Sequence, residues 1–84
     1  MKTYKTKDIY LAATLLAFEF PIKEVSNEEN KTFFHFGIER EPLIGGDNWT
    51  IDKAVKAYWD KSITIEPLTL FNAFKELKNR IYNQ

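Results

Sequence analysis

Leu70, Phe74, Leu77 and Ile81 recur at a 4-3-4 spacing near the end of the chain, within Pro67–Tyr82. That spacing places them on one side of an α-helix. Pro67 suits the first turn, where its missing N–H is no loss. No other stretch carries so continuous an apolar stripe, so the remaining elements are expected to pack onto this last helix.

Upstream, the pattern predicts a hairpin and two more helices. Met1–Lys5 reads as a short tail. Thr6 is placed to cap a first helix, with Asp8 favourable to its dipole. Ile9, Ala12, Ala13, Leu15 and Leu16 form its buried face, bordered by Tyr10 and Ala17. Pro21 stops that helix, and Pro21–Val25 reads as a strand. A polar turn over Ser26–Lys31 leads to the clearest strand, Thr32–Glu39, in which Phe34, Phe36 and Ile38 alternate with Phe33, His35 and Gly37. Arg40–Trp49 reads as a loop punctuated by Pro42 and Gly45-Gly46. Thr50 caps a second helix running to about Lys61, with Ile51, Ala54, Val55 and Tyr58 as its stripe. The fold class is therefore α+β, an antiparallel β-hairpin packed with three helices in the order α-β-β-α-α.

Composition narrows the class further. At 84 residues the chain reads as one domain, 1–84, with one modest core. A chain of this size buries only ~60–65% of the surface its unfolded form exposes. There is no cysteine, so packing alone must hold it, helped by seven Phe, four Tyr and two Trp. Twelve basic residues balance twelve acidic ones, which excludes capture of nucleic acid or an anionic membrane by net charge. The charges are unevenly spread. Lys2, Lys5 and Lys7 open the chain, and Lys75, Lys78 and Arg80 lie near its end. Ile9–Phe18 follows the first lysines as a signal-peptide core would, but Asp8 and Glu19 bracket it and no cleavage site follows. A cytoplasmic protein without a membrane span is expected.

Three stretches taken together, Tyr4-Lys5-Thr6-Lys7-Asp8-Ile9-Tyr10-Leu11-Ala12-Ala13, Ala57-Tyr58-Trp59 and Leu70-Phe71-Asn72-Ala73-Phe74-Lys75-Glu76-Leu77-Lys78-Asn79-Arg80-Ile81-Tyr82, resemble a small prokaryotic and phage domain family of unknown function. The resemblance covers nearly the whole chain, although the segment Glu39–Asn48 is longer than the pattern expects. It implies a setting, a small accessory protein of a phage, mobile element or prokaryotic host. It implies no catalytic residue.

Candidate chemistry is sparse. His35 is the only histidine and has no cysteine or second histidine to join it in a metal site, so it reads as structural. Ile44–Thr50 runs from a glycine pair into a helix start but lacks the lysine and hydroxyl of a phosphate loop. Glu39 and Glu41 read as a solvated strand end. Trp49 and Trp59 are candidate interface anchors, of which at least one belongs in the core. The informative set is Phe71, Lys75, Lys78 and Tyr82, which form a second stripe on the last helix about 90° from its apolar seam. Aromatic and basic groups interleaved in this way can stack on bases and neutralise phosphates, with Lys5 and Lys7 extending the set. The reading preferred for the same residues is that Phe71 and Tyr82 border the core, with the lysine stems lying over it.

These readings lead to a non-enzymatic binding or adaptor protein acting through protein contacts or self-association, with no cofactor and no metal. Nucleic-acid binding through the last helix and the N-terminal lysines is the second reading. A phage inhibitor of a host defence system is the third.

Overall fold

The computed structural model describes residues 3–37, 43–44 and 47–82. Lys2, Ile38, Glu39, Arg40, Glu41 and the Gly45-Gly46 pair lie outside the described residues. In chain order the elements are β1 (Thr3–Thr6), α1 (Ile9–Ala17), β2 (Ile22–Glu28), β3 (Lys31–Gly37), β4 (Leu43–Ile44), β5 (Asp47–Asn48), α2 (Ile51–Trp59) and α3 (Pro67–Tyr82). The fold is α+β, with the helices packed on an antiparallel sheet of order β1-β3-β2. A separate short ladder joins β4 to β5, within the stretch read from sequence as loop.

The hairpin of β2 and β3 turns at Glu29-Asn30, between the paired residues Glu28 and Lys31. Both turn residues have positive φ, 53° and 68°. That geometry matches the right-handed twist of the flanking strands. The strand before it is longer than the sequence suggested, because Ser26, Asn27 and Glu28 pair with Phe33, Thr32 and Lys31 instead of turning.

Thr3–Thr6 is a strand, not a tail. It pairs with β3 so that Tyr4 faces Phe36 and Thr6 faces Phe34, while Lys5 lies opposite His35 on the outer face. With Thr6 in the sheet, the cap of α1 passes to Asp8. Its Oδ1 accepts from the backbone N–H of Tyr10 at 2.9 Å and of Leu11 at 3.2 Å. Thr6 instead accepts from the Asp8 N–H through Oγ1 at 3.1 Å. Thr50 caps α2 as the sequence predicts, accepting from the Lys53 N–H at 3.1 Å. Glu66 does the equivalent work for α3, accepting from the N–H groups of Leu68 and Thr69 at 2.9 and 3.0 Å.

The centre of the fold is α1, not α3. Leu11, Ala12, Ala13, Thr14 and Leu15 are all buried, a consecutive run that leaves this helix little polar face. A helix apolar all round must be covered all round. The sheet's inner face, with Phe34 and Phe36, shares one core with Leu11, Ala12 and Leu15, and α2 and α3 both pack against α1. The α3 seam does what its spacing predicts, but centred on Ala73 and fully buried Leu77; Leu70, Phe74 and Ile81 are half-buried. Trp49 packs on the core edge beside Phe18, with ring centroids 6.0 Å apart, and Trp59 is exposed.

Candidate functional site

Because α2 and α3 both lean on α1 but make little contact with each other, they leave a groove above it. Its floor is Tyr10, Ala13 and Thr14 of α1. One wall is Tyr58 of α2, and the other is Leu70, Phe71 and Phe74 of α3. The groove encloses about 330 Å³ and its surface is almost wholly carbon. The ring of Tyr10 stacks on Phe74 at 5.7 Å between centroids and 26° between planes, which ties floor to wall.

Two of these rings are exposed far more than large apolar groups ordinarily are in a small domain, Tyr10 at 65% and Phe71 at 61%. The polar groups present make few demands. Thr14 Oγ1 donates to the Tyr10 carbonyl at 2.9 Å. Burial, and then the charges of Asp8 and Tyr10, push the Tyr58 phenol above its ordinary value, so it is neutral and can donate at neutral pH.

The stripe Phe71, Lys75, Lys78 and Tyr82 lies open to solvent along its length, and Tyr82 is 80% exposed. Lys78 leans over the groove wall, its Nζ 5.3 Å from the centroid of the Phe74 ring. Phe71 and Tyr82 therefore do not border the core. Lys5 is elsewhere. It projects from the outer face of the sheet, 3.2 Å from Glu28 and with its Nζ 4.5 Å from the centroid of the Phe33 ring. Lys7 is exposed in the link between β1 and α1. The structure thus groups Phe71, Lys75, Lys78 and Tyr82 on one helix and puts Lys5 on the sheet face turned away from α1.

That outer face carries a polar chain that the sequence did not reveal. Ser26 Oγ lies 2.8 Å from His35 Nε2 and donates to Glu28 Oε2 at 3.1 Å, and Glu28 also takes Lys5. An ionised carboxylate only accepts, so it takes the single serine proton, and Nε2–H of His35 then donates to Oγ. In that arrangement the histidine supports the serine oxygen and does not withdraw its proton. The register pairing Ser26 with Phe33 and Glu24 with His35 creates the contact, and no spacing within one segment could have shown it. Among the described residues no group of three or more His, Cys, Asp or Glu could hold a metal ion, and no helix is long and apolar enough to cross a membrane.

No family model, curated protein or solved structure matches the chain.

Proposed function

We propose that this protein is a non-enzymatic binding module that captures a polypeptide partner in the groove between α2 and α3. The observation that carries the reading is the exposure of Tyr10 and Phe71 around an apolar groove of about 330 Å³. A small domain that depends on packing alone gains stability by burying such rings, and leaving them open serves contact with something else. The rings are held in place rather than loose, since Tyr10 is stacked on Phe74 and Phe74 is under Lys78. A preorganised aromatic surface loses little side-chain freedom on binding.

The test is selection of displayed random peptides on the wild-type chain and on a Tyr10→Glu/Phe71→Glu variant shown by circular dichroism to fold equally. Peptides enriched only on the wild type, shifting the amide resonances of α1 and α3, support the reading. Enrichment that survives in the variant, or that shifts only the sheet, removes it.

The open stripe of Phe71, Lys75, Lys78 and Tyr82 favours a second reading, contact with single-stranded nucleic acid. It requires affinity that falls steeply with salt. With Lys5 on the outer sheet face beside Glu28, the basic track available to it is short.

A further inference from the structure

We draw no further inference here: the strongest candidate, the apolar groove above α1 between Tyr58 of α2 and Phe71 of α3, belongs to the site already described, and nothing in the structure shows what covers it.

Discussion

Tyr10 of α1 and Phe74 of α3 stack across the helix interface, 5.7 Å between ring centroids and 26° between ring planes. Tyr10 is mostly exposed and Phe74 half-buried, so the pair sits where the core ends and the groove begins. Phe74→Ala should cost about 2 kcal/mol, less than a fully buried ring, and Tyr10→Ala distinctly less. A double-mutant cycle read by urea unfolding should return a coupling of about 0.5–1.5 kcal/mol for the stack. Coupling near zero would mean that the rings merely lie side by side.

The two stripes of α3 should separate cleanly in stability. Leu77 is fully buried, and Leu77→Ala should destabilise by about 2–5 kcal/mol. Phe71→Ala and Tyr82→Ala touch exposed rings and should stay within about 0.5 kcal/mol of wild type. Thermal unfolding of the three variants gives the comparison. A large loss at Phe71 would show that its ring stabilises the fold, and its exposure would then say little about binding.

The helices could be read from the sequence because their signals are local. Proline at the start of α3 and threonine before α2 each act within one turn, and the 4-3-4 spacing spans about three turns of a single helix. The strand β1 could not, since Thr3–Thr6 is only four residues long and becomes a strand through pairing with β3 about thirty residues away. Missing it moved the helix cap from Asp8 to Thr6. The apolar run in α1 held the stronger clue: a helix with five consecutive buried residues cannot lie at the edge of a fold. The stripe Phe71–Tyr82 was visible from spacing, whereas Tyr10 and Tyr58 joined the site only through the packing of α1 against α3 and the approach of α2. No local pattern encodes those contacts.

Two helices end in a way that invites improvement. After α1, Glu19 has φ 70°, and the N–H groups of Glu19 and Phe20 bond back to Leu16 and Leu15. After α2, Lys61 has φ 59°, and Lys61 and Ser62 bond back to Tyr58 and Ala57. Both ends therefore need a left-handed residue, a position that suits glycine. Glu19→Gly and Lys61→Gly should each stabilise by about 0.5–1 kcal/mol, relief of backbone strain exceeding the added freedom of the unfolded chain. For a domain of this size that is a rise of about 2–8 °C in Tm. A fall in Tm would show that the side chains contribute more than the strain costs.

Acid should weaken the fold through Glu66 and Glu28. Backbone bonds from Leu68 and then Thr69 hold the Glu66 carboxyl below its ordinary value of 4.5. Bonds from the Lys5 side chain, then Ser26, do the same for Glu28. A carboxyl whose pKa is lowered by folding takes up protons first in the unfolded chain. Its contribution is therefore complete above the unfolded value near 4.5 and is lost as pH falls through the folded value. Urea midpoints should be level from about pH 7 to 5 and then decline, and the decline should be shallower in Glu28→Gln/Glu66→Gln. Carboxyl titration followed by NMR separates the two groups. Lys5→Ala should return the Glu28 midpoint towards 4.5 while leaving that of Glu66 depressed. If both midpoints moved together, the bonds named here would not be what holds them down.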